Sequence, residues 1–417
     1  MQVRLRMAKA LRTPLPFRNL EPVARQQASP ESAPGEQPPQ FNYYQLFDYL
    51  LTKHRRVQGF EITKQKPRYD NAWSLAGSFG GWWLAAALRS RTMTSLLRAV
   101  ALPLMVWGLT CLGTSSAAAE TEASWRVEQR DGRLVIALGQ QSACEYVFAD
   151  EKLPRPYFCQ VHAPGSVAVT RTHPPVAGRD PVDHADMHPG VWLAFGDLNG
   201  ADFWRNKGQV KHVRFVEPPT IDDETLTFVV ENQYRSGDGA NGKVLATEVC
   251  RHRLVRRDGG YWITFDSSLS GAETLAFGDQ EEMGLGVRLA SPLRVAGGSG
   301  EIVDAEARRN EQQVWGKQAT WCDYSGEVES QRAGLLVAAH AGNFRPSWFH
   351  VRDYGLLVAN PFGRKAFTGG EPSRVEVAPG DKLRLRFGVW VHGGPASEKP
   401  DLAAAYGDYL RLAGEEK

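Results

Sequence analysis

The chain from Ala123 onward predicts an all-β fold: a large twisted antiparallel β-sandwich with one C-terminal helix. Three observations predict it. Short stretches alternate apolar and polar residues at period two, most clearly LRLRFGVWVH at 383–392. Turns rich in Gly, Pro, Asp and Asn separate them. Helical character is confined to 401–412, directly after Pro400. No internal repeat or linker interrupts residues 120–417, which read as a single β-sandwich domain.

Taken in order, strands are expected at 125–129 and 133–138, joined through Arg130-Asp131-Gly132 as a hairpin. Further strands are expected at 156–161, 191–196, 212–216, 225–231 and 243–256. A second hairpin turns at Asp258-Gly259-Gly260 into 261–269. The series continues with 273–277, 284–290, 319–324, 334–340, 355–359 and 382–392.

The stretch before this domain has a different texture. Residues 1–92 carry a net charge of +8, which leaves −6 on the other 325 residues of a chain whose overall charge is +2. Residues 26–40 are rich in Pro, Ser, Glu and Gln, a disordered composition. Met93 then opens MTSLLRAVALPLMVWGLTCLGTSSAAAE, with Arg98, an apolar run and the small residues Ala117-Ala118-Ala119. That layout is a secretory signal peptide over 93–119, and its apolar run of about 14 residues is short of the roughly 20 needed to span a membrane. The expectation is translation from Met93, cleavage near Ala119 and export to the periplasm or outside the cell, with 1–92 a spurious or disordered extension. A native N-terminus near Glu120 is the test.

Four cysteines follow the leader. Cys144 and Cys159 flank a Pro-containing turn and either pair across it or stay as buried thiols. No cysteine spacing matches a metal site.

Chemistry-bearing residues gather in four places. The first is HADMHPGVWLAFGDLNGADFW, with His184, His188, Asp197, Asn199 and Trp204 around a short strand. His184 and His188 stand at a helical metal spacing, but Pro189 breaks a helix there. Asp197 and Asn199 resemble half of a calcium loop and equally suit a tight turn. The second is FGDQEEMGLGVR, with Asp279, Glu282 and Arg288; nearby, TEVCRHRL offers Glu248. Carboxylates meeting in one cleft can do acid–base work on a sugar. The third is WGKQATWCDYSG, with Lys317, Trp321 and Asp323. The fourth is SWFHVRDYGLLVANPFG, with His350, Arg352 and Asn360. Aromatic rings beside Asp, Asn, Arg and His suit a carbohydrate site, and equally the satisfied polar groups of a β core. No nucleophile elbow, phosphate loop or dinucleotide fingerprint occurs, and the domain has no basic patch for nucleic acid.

These motifs, together with RPYF at 155–158, resemble the DUF6807 family over about residues 124–412. The family is often labelled "methane oxygenase PmoA". That label implies a copper enzyme with several membrane-spanning helices, which a domain lacking any apolar run of about 20 residues does not accommodate. The resemblance implies instead an exported β-sandwich protein of glycan catabolism. It also implies a His-His-Arg triplet where this chain has Met187-His188-Pro189, so only His188 is kept.

The expected function is therefore action on a sugar or sugar derivative, as a hydrolase, lyase or epimerase. His188, Glu248, Asp279, Glu282, Asp323 and His350 are the catalytic candidates. His184, Asp197, Asn199, Trp204, Lys317, Trp321, Arg352 and Asn360 are the binding candidates. The expected partner is a small molecule or oligosaccharide, with no nucleic acid and no integral membrane domain. Two alternatives stand beside this: a non-catalytic carbohydrate-binding module, and a divalent-metal site at His184, His188 and His350. No cofactor is required by the motifs.

Overall fold

The computed structural model describes residues 124–237 and 242–414. The expected leader at 93–119 and the extension at 1–92 lie outside the described residues.

Two large antiparallel sheets face each other, as the alternating pattern predicts. The first has nine strands in the spatial order Trp125–Arg130, Arg133–Leu138, Gln141–Val147, Tyr157–Cys159, Val191–Phe195, Met283–Arg288, Leu356–Asn360, Trp348–Arg352 and Lys317–Gln318. The second has eight: Glu301–Asp304, Trp321–Val328, Gln331–Ala339, Leu383–Pro395, Gly260–Ser270, Val244–Arg257, Thr225–Ser236 and Gly208–Asp222. Both expected hairpins form. Arg130 pairs Arg133 and Arg257 pairs Gly260, leaving two-residue Asp-Gly turns. Gly132 and Gly259 supply the left-handed conformation these turns need, at φ 72° and 74°.

Period two sorts the side chains into three apolar layers. Between the sheets lie Val191, Leu193, Phe195, Leu285 and Val287 from the first and Tyr324, Leu335, Phe387 and Val389 from the second. Their alternate neighbours point the other way. Trp192, Ala194, Leu356 and Val358 make a small layer on the outer face of the first sheet, with Trp204. Trp262, Trp321, Leu336 and Trp390 make another on the outer face of the second. This is why VWLAF is continuously apolar: both of its faces are covered. The helix Leu402–Gly414 covers the second outer layer with Tyr409 and Leu412. Its start is set by Asp401, whose carboxylate accepts the Ala404 N–H at 2.9 Å.

Several expectations change. The strand expected at 212–216 runs from Gly208 to Asp222, straight through Pro218-Pro219. It tolerates them because it is an edge strand with register shifts at that point. Strands Gln141–Val147, Glu301–Asp304, Lys317–Gln318 and Trp348–Arg352 were not expected, nor were the short helices Asn310–Val314 and Arg364–Thr368. Cys144 and Cys159 are free and buried. They lie on neighbouring strands but on opposite faces of the first sheet, one in the inter-sheet layer and one outside it, so their sulfurs point apart. No helix among the described residues is long and apolar enough to cross a membrane.

Candidate functional site

The outer face of the first sheet carries the densest polar cluster, and three buried arginines build it. Arg155 precedes the strand Tyr157–Cys159 and donates to the carbonyls of Phe203, Trp204 and Met187. Arg171 donates to the carbonyls of Pro181, Asp183 and His188 at 3.0, 2.7 and 3.0 Å. Arg288 ends the strand Met283–Arg288, its side chain 1% exposed, and binds the Asp183 carboxylate at 2.8 and 3.0 Å. The 181–188 loop has no regular secondary structure, so its carbonyls need donors from elsewhere, and the guanidinium forks provide them. Burial pulls the Arg155 and Arg171 pKa values down to about 9 and about 10, so both stay cationic at neutral pH.

On this scaffold the loop places two imidazoles. His184, in the left-handed region at φ 51°, sets its Nδ1 3.2 Å from Asp183 Oδ2. With Asp183 accepting from Nδ1, Nε2 is left as the proton acceptor. The His188 ring stacks between His184 and Trp192, at centroid distances of 5.0 and 5.1 Å. Its Nε2 accepts from Trp204 Nε1 at 3.3 Å, so Nδ1 carries the hydrogen. Burial, reinforced by His184 and the three arginines, drives its pKa well below the usual range, so His188 is a neutral donor. The rings of Trp192 and Trp204 meet edge to face above Gly286, where a Cβ would lie 2.6 Å from Trp192 and 2.8 Å from Trp204.

Glu282 closes the cluster from the start of the next strand. Burial raises its pKa; the ion pair with Arg205 and the charge of His184 only partly oppose this. Tyr354 stacks on His184 at 6.4 Å, and the Arg288 guanidinium lies 4.6 Å from its ring centre. Several buried donors here have no partner: Arg171 Nε, Arg288 Nε and Nη1, His188 Nδ1 and Trp192 Nε1. Such groups ordinarily find water or a ligand.

A second polar row continues along the same face. His350 Nδ1 lies 3.3 Å from Glu281, and burial pulls its pKa down to about 3. Arg352 binds Glu311 at 2.7 Å and reaches Glu281 at 3.5 Å. Asn360 donates to the carbonyls of Gln280 and Glu281, which fixes the segment that carries Glu281 and Glu282. Of the residues singled out in the sequence, His184, His188, Trp204, Glu282, His350, Arg352 and Asn360 thus share one face.

The others lie elsewhere. Asp279 accepts the backbone N–H groups of Lys365, Ala366 and Ser373, tying down the helix Arg364–Thr368. Asp197 accepts from Gly200 N in a tight turn. Asn199 braces that turn to the strand Leu275–Phe277, donating to Thr274 O and accepting from Ala276 N. Lys317 is exposed on the edge strand of the first sheet. Glu248 is buried between the sheets, held by Asn232 at 2.9 Å and Ser267 at 2.6 Å, and burial raises its pKa. Trp321 and Asp323 sit on the outer face of the second sheet. The single four-motif site expected from the sequence is therefore divided between opposite faces.

Glu281 and Tyr354 stand in the second and fourth motifs and Arg155 in RPYF, whereas Asp183, Arg171 and Arg205 were missed as members of the cluster. The available signal was a charged residue ending a wholly apolar strand, as Arg288 ends MGLGVR. No group of three or more His, Cys, Asp and Glu residues among the described residues is arranged to hold a metal ion.

No curated protein matches this chain. Among solved structures, it is similar to an alpha-galactosidase from Lactobacillus brevis, with 10% identity, a TM-score of 0.31, and coverage of 66% of this chain and 40% of the other. It is similar to GH36 alpha-galactosidase AgaA from Geobacillus stearothermophilus, with 9% identity, a TM-score of 0.33 and coverage of 65% and 41%. It is also similar to a galactose mutarotase related enzyme from Lactobacillus acidophilus, with 11% identity, a TM-score of 0.28 and coverage of 66% and 99%. The chain thus spans less than half the length of the two galactosidases. The model of a family of unknown function, DUF6807, matches residues 133–406, about two thirds of the chain, and the protein belongs to that family.

Proposed function

We propose that the outer face of the first sheet binds a sugar or sugar derivative and moves a proton on it, as a hydrolase, lyase or epimerase would. One observation carries the reading. His184, oriented by Asp183 and through it by buried Arg288, stands with a carboxyl group, Glu282, that burial holds toward its protonated form. Glu282 supplies a proton and His184 Nε2 accepts one, the two halves of general acid–base catalysis. The unpartnered Arg288, His188 and Trp192 donors beneath them suit a ligand rich in oxygen. Asp183, Arg155 and Arg171 act as positioning residues: the two arginines bond backbone carbonyls, and Asp183 links His184 to Arg288.

The test is turnover by the full chain on neutral hexoses, hexuronates and short oligosaccharides, followed by proton NMR. His184→Asn and Glu282→Gln are each expected to lower turnover by about 100-fold or more while the melting temperature stays nearly constant. Unchanged turnover in both variants overturns the assignment. Saturable binding without turnover of any probe replaces it with the non-catalytic binding module.

A further inference from the structure

The outer face of the second sheet holds a separate cleft of about 450 Å³, within the range of small-molecule sites. Its floor is the strand Leu383–Pro395, and one wall is the N-terminal half of the helix Leu402–Gly414. Beneath the floor runs a buried polar chain. His392, 2% exposed and lining the cleft, sets Nε2 2.8 Å from Asp323 Oδ1, and Ser325 donates to Asp323 Oδ2 at 2.7 Å. The chain spans three strands because the middle one offers Gly334 in register with both His392 and Ser325. A Cβ there would lie 2.3 Å from the Ser325 Cβ. Asp323 therefore holds the His392 proton on Nε2 and leaves Nδ1 as an acceptor.

Beside His392, the Trp390 ring lies tilted at a centroid distance of 4.7 Å and itself stacks on Trp262 at 6.2 Å. Trp390 is 7% exposed, and its indole Nε1 has no partner. Arg332 Nε, on the same lining, has none either. The lining carries four carboxylates and four cationic side chains. Three of the cations are already engaged: Arg257 with Asp408 at 3.0 Å, Arg411 with Asp408 at 3.4 Å, and Arg332 with Glu327 at 2.7 Å. A charged ligand gains little from so balanced a wall. An uncharged polyol fits it, because each hydroxyl both donates and accepts.

We infer that this cleft is a second binding site, for a neutral sugar ring or a similar uncharged polyol, with the Trp390 indole N–H and His392 Nδ1 as its fixed donor and acceptor. It is independent of the acid–base cluster on the opposite face.

The experiment is an indole 15N–1H NMR titration of the full chain with D-glucose, D-galactose, myo-inositol and D-glucuronate, the Trp390 resonance being assigned with Trp390→Phe. At least one neutral polyol is expected to shift that resonance saturably. Followed at the indole signal of Trp262, which also lines the cleft, Trp390→Phe is expected to show that polyol's affinity weakened about tenfold, and His184→Asn is expected to leave it unchanged. The inference is overturned if no neutral polyol shifts the Trp390 signal, if D-glucuronate binds more tightly than every neutral probe, or if Trp390→Phe binds equally well.

Discussion

Each outer face of the sandwich carries an Asp–His pair, and the two pairs are built in opposite ways. On the first face, Asp183 and His184 are neighbours on a loop, both near 40% exposed, and buried arginines hold them from below. On the second, Asp323 and His392 lie 69 residues apart on strands, nearly fully buried, and meet across a glycine. A loop-borne pair can reposition on a ligand, and its geometry is only as good as the arginines beneath it. A strand-borne pair is fixed by the sheet and shaped mainly to accept a hydrogen bond. The first arrangement suits proton transfer and the second suits recognition.

The comparison breaks most sharply at Arg288. Removing this guanidinium leaves Asp183 without its principal partner and empties a buried site. Arg288→Met is expected to cost about 3 kcal/mol, the low end for a buried pair because Asp183 is partly exposed. Urea unfolding gives the total. Amide exchange is expected to accelerate over residues 181–188 and to stay slow over the strand Trp321–Val328. Equal acceleration on both faces would mean that they do not behave as separate units.

Gly334→Ala attacks the other pair. Its methyl group meets the Ser325 side chain, and overpacking of this kind costs about 2 kcal/mol. The His392 imidazole NMR signals are expected to move while those of His184 do not. If the His392 signals are unaffected, the glycine is not what lets the pair form.

Much of this architecture was legible in the sequence, and the reasons differ by region. Alternation located strands such as Leu383–Pro395 because one face of each repeats with every second residue. The edge strand Gly208–Asp222 is longer than the 212–216 that alternation marks, because a strand ordinarily excludes Pro-Pro and only the edge position with its register shifts accommodates Pro218-Pro219. Trp348–Arg352 does alternate, Phe349 and Val351 inward and His350 and Arg352 outward, but its polar members read as a site and hid the strand. The motifs that carry the clusters were visible as residue types. Their division was not, because parity fixes a side chain to one face of its strand without saying in which sheet the strand lies. Asp323 and His350 both point outward, from different sheets. The buried arginines were invisible as organisers because their partners lie on loops far along the chain, 49 residues from Arg155 to the Trp204 carbonyl and 105 from Arg288 to the Asp183 carboxylate.

Glu248 belongs to neither face, and that makes it the finest probe of their separation. It lies in the layer between the sheets, where Asn232 and Ser267 satisfy its oxygens but burial still raises its pKa. The sign follows from linkage. A carboxyl group whose folded pKa lies above its unfolded one contributes full stability below the unfolded value and loses it as pH rises through the folded value. Glutamine has nearly the same shape and does not titrate. Glu248→Gln is therefore expected to gain on the wild type between pH 4 and pH 8, by about 1.4 kcal/mol for each unit of raised pKa. Urea unfolding at the two pH values measures the gap. A gap that shrinks with pH would place the ionised carboxylate among net favourable contacts, contrary to the burial argument. Turnover assigned to His184 and binding assigned to Trp390 should both survive the substitution, because the layer that joins the two faces contributes apolar packing to each and a titrating group to neither.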